Sequence, residues 1–271
     1  MEQQMPDATD TQTETPVAPA KPMSRGIYLL PNLFTTGAMF CGFYAVVAAM
    51  QNKFEVAAIA VVIAMVLDSL DGRVARLTNT QTAFGAEYDS LSDLVSFGVA
   101  PSLIMYQWSL SSLQSHGVTW GKMGWLAAFI YMACAALRLA RFNTQVGKVD
   151  KRFFVGLPSP AAAAMMISMV WACQDMGLTG QQMQFPALFL TLSVGLLMVS
   201  NISYYSFKDF NPRNRVPFVA ILVVVLVLAL VILDPPKVLF VAFSLYTLSG
   251  PALWLWRRYR RAQRRRKGLE A

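Results

Sequence analysis

Apolar runs long enough to cross a bilayer recur along this chain, and no other feature limits its fold so strongly. Stretches such as VAILVVVLVLALVIL (219–233) are continuous rather than alternating. In lipid that pattern requires helices, which satisfy their own backbone polar groups. Runs of this kind occupy 30–50, 54–76, 85–109, 123–142, 157–173, 185–205, 216–233 and 237–256. They predict an all-α integral membrane protein with about eight transmembrane helices. A water-soluble domain is excluded because the chain is 55% hydrophobic and only 14% charged, and so lacks the polar surface to cover these runs.

Three regions follow: a polar tail over 1–26, a transmembrane domain over 27–256 and a basic tail over 257–271. The first is rich in Thr, Gln and Pro and has no apolar segment of its own. It is expected to be disordered, since it has little surface to bury against the entropy of ordering.

Lys and Arg orient the domain. With eight helices both termini share a side, and 20 of the 23 Lys and Arg fall there; Lys53, Lys122 and Lys237 lie opposite. The inside-positive rule then places both termini in the cytoplasm, in an inner or plasma membrane. The net charge of +8 is largely this asymmetry. The tail WRRYRRAQRRRKG (256–268) directly follows an apolar run and reads as a stop and an anchor to anionic headgroups. No nucleic-acid partner is expected.

Cys41, Cys134 and Cys173 are isolated within apolar runs, without metal-ligand spacing, and are expected to pack as small apolar residues. The single histidine, His116, lies in a loop on the opposite side, which argues against histidine-based catalysis.

Against this background the acids are concentrated. Asp68, Asp71, Glu87, Asp89 and Asp93 are five of only 15 Asp and Glu in the chain. At 100° per residue, Asp68, Asp71, Gly72, Ala75 and Arg76 share an arc about 140° wide. Gly85, Asp89 and Asp93, spaced i, i+4, i+8, form one stripe on the next helix. The short link near TNTQTA makes the two helices antiparallel neighbours, so four aspartates can meet at the cytoplasmic end. Aspartates near helix ends are often only solvated, and Glu87, off the stripe, is read as a solvated or pairing residue. Four clustered carboxylates, however, repel one another and need compensation. Oxygen-only ligands favour two hard divalent ions, Mg²⁺ or Mn²⁺. Gly72 and Gly85 leave room for a ligand near the backbone, and Arg76 offers a fork suited to phosphate.

The stretch DSLDGRVARLTNTQTAFGAEYDSLSD resembles the signature of the CDP-alcohol phosphatidyltransferases, D-x2-D-G-x2-A-R-x8-G-x3-D-x3-D. All eight fixed positions match: Asp68, Asp71, Gly72, Ala75, Arg76, Gly85, Asp89 and Asp93. The resemblance implies a metal-dependent displacement in which an alcohol attacks the lipid-bearing phosphorus of a CDP-linked lipid and CMP leaves. It also implies a homodimer among membrane lipids. By motif position, Asp68, Asp71, Asp89 and Asp93 look like the metal ligands, and Asp93 also like the base that takes the alcohol proton. Gly72, Ala75, Arg76, Thr82 and Gly85 look like the CDP-lipid site. The start PNLFTT is similar to the family's first helix and adds Asn32 and Thr35.

The signature does not name the alcohol. ALRLARFN (136–143), FVGLPSPAAAA (154–164) and SNISYYSFKDF (200–210) resemble the serine-accepting members of the family. That implies transfer of the phosphatidyl group from CDP-diacylglycerol to L-serine, with Arg138, Arg141, Asn143 and Lys208 toward the acceptor. A guanidinium can grip the serine carboxylate in two-pronged fashion, although the inside-positive rule also explains arginines there. Glycerol 3-phosphate, inositol phosphate or choline remain alternative acceptors. A cation transporter is disfavoured, since the spans carry no polar path to the opposite face. The Ala161–Ala164 run is expected to favour close helix packing, as in a dimer.

Overall fold

The computed structural model describes residues 29–78, 80, 82–145, 153–205 and 218–269. Each apolar run contributes at least one helix. In chain order these are α1 (Leu29–Met50), α2 (Phe54–Leu77), α3 (Ala83–Asp93), α4 (Ala100–Trp108), α5 (Val118–Gln145), α6 (Ser159–Asp175), α7 (Gln184–Val199), α8 (Phe218–Leu233) and α9 (Pro235–Leu269). By length and apolarity alone, three helical segments among the described residues suffice to cross a membrane: Pro31–Met50, Val118–Thr144 and Pro235–Arg260. Large apolar side chains such as Phe43, Ile63, Phe129, Phe189 and Leu245 face outward, as a lipid-bathed surface requires. The expected N-terminal disorder (1–26) lies outside the described residues.

Small residues set the packing. Helices α1 and α2 form the most extensive pair. They are joined by a tight turn in which Asn52 takes a φ of 59°, a conformation asparagine tolerates. Ala45, Ala48 and Ala49 on α1 and Ala57, Ala58 and Ala64 on α2 are all buried, so the backbones can approach closely. Helix α6 is buried along nearly its whole length and forms the centre of the bundle. Ala161–Ala164 lie within this single-chain core, so they pack helices of one chain and do not present a dimer surface. Cys134 and Cys173 are buried and Cys41 is partly buried.

Three local departures from the expected helices bear on the site. The run at 85–109 is not one regular helix: a π-helical turn, Leu94–Val99, links α3 to α4 immediately after Asp93. Pro101 has no N–H to give the Phe97 carbonyl four residues back, and the Ala100 N–H bonds Val95 five residues back. The buried Tyr131 hydroxyl donates to the Phe97 carbonyl at 3.0 Å.

The run expected to reach residue 205 ends at Val199. Beyond it, β2 (Ser203–Tyr205) pairs antiparallel with β1 (Phe153–Val155), Val155 facing Ser203. Gly156 follows at φ 84°, and a Cβ there would strike the Met198 carbonyl. Only glycine meets both demands. This small ribbon, absent from an all-α expectation, ties the entry of α6 to the exit of α7. At the C-terminus, α9 continues through the basic region to Leu269, with Pro251 inside it, so the expected tail is in large part helix.

Candidate active site

Two helix ends build the acidic site. The last turns of α2 present Asp68 and Asp71, and α3 presents Asp89 and Asp93. One oxygen each from Asp68, Asp71 and Asp89 lies within 4.8 Å of the others. The Asp93 carboxyl touches that of Asp68. The expected convergence of four aspartates is therefore realised, and Glu87 is exposed, off the cluster.

Several contacts hold the acids in place. Asp71 is buried, and the Thr35 hydroxyl donates to its Oδ2 at 2.7 Å. From α3, Ser92 Oγ donates to the Thr35 carbonyl at 3.0 Å, and from the π-helical turn Ser96 Oγ donates to the Ala38 carbonyl at 3.0 Å. Ser96 also fills a notch at Gly42, where a Cβ would sit 2.7 Å from its Oγ. Thr36 and Tyr88 share a 2.9 Å hydrogen bond across the same seam. Thus α1 is the frame on which both acidic helices are mounted.

The acids fit a hard cation. Asp89 Oδ1 and Asp93 Oδ1 are buried without a hydrogen-bond partner. Among the described residues none of the four carboxylates makes an ion pair, and a buried anion without compensation is costly. Arg138 is the cation that acts on Asp93 electrostatically. With no Cys or His near, the donor set is oxygen only, which suits Mg²⁺ or Mn²⁺.

Around the acids the other expected residues separate by what they touch. A Cβ added to Gly72 would meet nothing, so that face of α2 is open. Ala75 is partly buried, and Arg76 folds back, its Nε donating to the Gly72 carbonyl at 2.8 Å. Thr82 caps α3, accepting from the Gly85 N–H at 2.9 Å. A Cβ on Gly85 would lie 3.6 Å from Asn32 Oδ1, which brings Asn32, Thr82 and Gly85 into one group. Thr35, expected near the nucleotide, donates its hydroxyl to Asp71.

The two arginines of α5 part company. Arg138 donates to Ser159 Oγ at 2.6 Å and faces Asp93 and Tyr246. Arg141 donates to Asn201 Oδ1 at 2.9 Å and to the Val199 carbonyl at 3.4 Å, at the end of α7. Asn143 donates to Ser90 Oγ at 3.0 Å, stapling α5 to α3 beside the acidic stripe. Lys208 lies outside the described residues. Sequence reasoning missed Ser90, Ser92, Ser159 and Tyr246. The first three sit inside stretches already singled out, DSLSD and LPSP; Tyr246, on a distant apolar helix, carries no spacing signal.

On another face of α2, an apolar cavity of about 360 Å³ runs between α2, α6 and α9. Its wall on α2 extends from Val62 to Arg73, and Trp171 and Phe243 face it from α6 and α9. That stretch of α2 is about 16 Å long at 1.5 Å per residue.

Residues 28–202 match the family model for CDP-alcohol phosphatidyltransferase, a segment that contains the whole acidic site. The chain belongs to the CDP-alcohol phosphatidyltransferase family. Among its relatives in that family, it is 38% identical over 231 residues to the CDP-diacylglycerol–serine O-phosphatidyltransferase of Helicobacter pylori, covering 85% of this chain and 92% of the relative. It is 31% identical over 240 residues to the protein of the same name from Mycobacterium tuberculosis, covering 85% and 81%. The Bacillus subtilis protein of that name is 31% identical over 185 residues, covering 68% and 94%. As a CDP-alcohol phosphatidyltransferase, the chain places its eight signature residues on α2 and α3, all within the matched segment.

Proposed function

We propose that this protein transfers the phosphatidyl group of CDP-diacylglycerol to the hydroxyl of L-serine, forming phosphatidylserine and CMP. The observation that carries the reading is the meeting of Asp68, Asp71 and Asp89 within 4.8 Å, with Asp93 against Asp68. The serine acceptor rests on relatives whose names specify serine.

In this reading Asp68, Asp71, Asp89 and Asp93 hold two divalent ions, Mg²⁺ or Mn²⁺. When bound, these ions neutralise the pyrophosphate and stabilise the departing phosphate charge. Asn32, Gly72, Ala75, Arg76, Thr82 and Gly85 receive the cytidine diphosphate. The glycines leave the backbone approachable, and Arg76 swings from the Gly72 carbonyl to phosphate. The acyl chains follow the apolar cavity along α2. Arg138, aimed by Ser159, holds the serine carboxylate beside Asp93. Asp93 takes the hydroxyl proton as the serine oxygen bonds to the lipid-bearing phosphorus, and the bond to the CMP oxygen breaks. Arg141 and Asn143 brace this pocket through α7 and α3, and Lys208 is proposed as a further contact to the acceptor.

The placement that goes with this function has eight spans within 27–256, with the site and both termini cytoplasmic, in a homodimer. The 20 to 3 division of Lys and Arg supports it. An acceptor panel tests the function: purified protein, CDP-diacylglycerol and Mn²⁺ or Mg²⁺, with serine, glycerol 3-phosphate, inositol phosphate or choline. CMP release and phosphatidylserine with serine alone are expected. Release driven by glycerol 3-phosphate without serine would overturn the acceptor.

A further inference from the structure

Arg141 does not turn toward the acids, and the residue it grips leads to a second cavity. Asn201, whose Oδ1 accepts from Arg141, lines a space of about 340 Å³ together with Ser203, Trp254, Arg257 and Arg258. None of these five residues belongs to the active site. One wall is the segment leading into β2, and the other is α9 where its apolar stretch gives way to the basic one.

The lining has the chemistry of an anion site. Two guanidinium groups come from adjacent positions of α9, and among the described residues no carboxylate lines the cavity. An arginine only donates, so Arg141 takes the oxygen of the Asn201 amide and leaves its N–H₂ end to donate elsewhere. Ser203 adds a hydroxyl. Donors thus face the space from both walls, an arrangement suited to a tetrahedral oxyanion with several acceptors. The Arg258 guanidinium sits over the Trp254 ring, 5.3 Å from its centroid, which restricts how the side chain can turn. The volume falls within the range of small-molecule sites.

Position decides the source of the anion. Trp254 is 43% exposed and directly precedes the arginine-rich end of a membrane-length helix. Tryptophan and arginine in that order mark headgroup depth, where the available oxyanions are lipid phosphates. We infer that this cavity binds the phosphate headgroup of an anionic membrane phospholipid, separate from the lipid that reacts. The bound phosphate bridges α9 to the Asn201–Ser203 segment. Through Arg141 that segment is already tied to α5, and through β2 to the entry of α6.

The test is a lipid-binding measurement on the full chain and does not depend on turnover. Protein in phosphatidylcholine nanodiscs is titrated with phosphatidylglycerol, and retained lipid is counted by native mass spectrometry. The double variant Arg257→Gln/Arg258→Gln is compared with the charge-matched Arg264→Gln/Arg265→Gln. One tightly retained phosphatidylglycerol per chain is expected, with the cavity double losing about tenfold more affinity than the matched control, the worth of a charge-assisted hydrogen bond. Equal losses in the two doubles would reduce the effect to diffuse charge and overturn the site. Arg258→Lys keeps charge and fold while removing the fork, and should weaken retention several-fold by the same principle; unchanged retention contradicts the assignment. Inorganic phosphate is the second probe. If it binds without lipid and is lost in the cavity double, the site serves a soluble anion and the lipid inference fails.

Discussion

The Thr35 hydroxyl on α1 donates to Asp71 Oδ2 on α2 at 2.7 Å, while the Thr35 carbonyl accepts from Ser92 on α3 at 3.0 Å. One residue thereby sets the spacing of the two acidic helices. Its hydroxyl also lies 3.1 Å from the Pro31 carbonyl, so the single proton goes to the closer, charged acceptor. Thr35→Val keeps the shape and removes the donor. The expected result is about a tenfold loss in apparent Mn²⁺ affinity or activity, as for other residues that orient metal ligands, with Thr35→Ser close to wild type. Equal activity in Thr35→Val, read from metal titrations of CMP release, would show that Asp71 needs no such support.

Asp93 and its neighbours should separate by role. Asp93→Asn removes the base and is expected to cost about 10²–10⁴-fold in turnover while CDP-lipid binding largely persists. Asp68→Ala and Asp89→Ala should lose metal-dependent CDP-lipid binding as well. Single-turnover assays beside equilibrium binding distinguish the two patterns. An active Asp93→Asn enzyme contradicts the base assignment.

Arg138 and Arg141 are three residues apart, yet their contacts diverge, and so should their phenotypes. Arg138→Ala is expected to raise the KM for serine or lower kcat/KM by about tenfold or more, the loss of a charged hydrogen-bonded pair. Ser159→Ala, which frees Arg138 to wander, should give a smaller shift of the same kind. Arg141→Ala should act chiefly on thermal stability, because its partners are Asn201 and the end of α7. Serine kinetics unchanged in Arg138→Ala would remove it from the acceptor pocket.

Gly156 is the hinge of the small ribbon. Its φ of 84° and the Met198 carbonyl against its Cα leave no place for a methyl group. Gly156→Ala is expected to cost about 1–3 kcal/mol, seen as a lower melting temperature in detergent. A wild-type melting curve would mean that the ribbon does not hold α6 to α7.

Much of the site was legible because helical spacing alone determines it. Asp68 with Asp71, and Asp89 with Asp93, lie one turn apart, and a short link makes their helices neighbours. What could not be read depends on contacts between distant residues. The ribbon of β1 and β2 pairs two three-residue strands whose members lie some 50 positions apart, below any periodicity signal. The π-helical turn arises from Pro101, which was visible, but its outcome also involves Tyr131, 30 residues further on. Spacing put Arg138 and Arg141 on neighbouring faces of α5; only the packing of α6 and α7 sends one to Ser159 and the other to Asn201. Among the described residues three helical segments combine membrane length with apolarity for a local reason: α2 carries charges near its end, and α3, α4 and α7 are short regular stretches.

The central claim is that the four aspartates form a site for hard divalent cations that grips a CDP-linked lipid. Its most direct test is Mn²⁺ binding to the purified protein in the presence of CDP-diacylglycerol, followed by electron paramagnetic resonance with Mg²⁺ as competitor. Saturable binding that disappears in both Asp68→Ala and Asp89→Ala is predicted. Failure to bind either ion with the nucleotide lipid present, or binding that survives both substitutions, would contradict it.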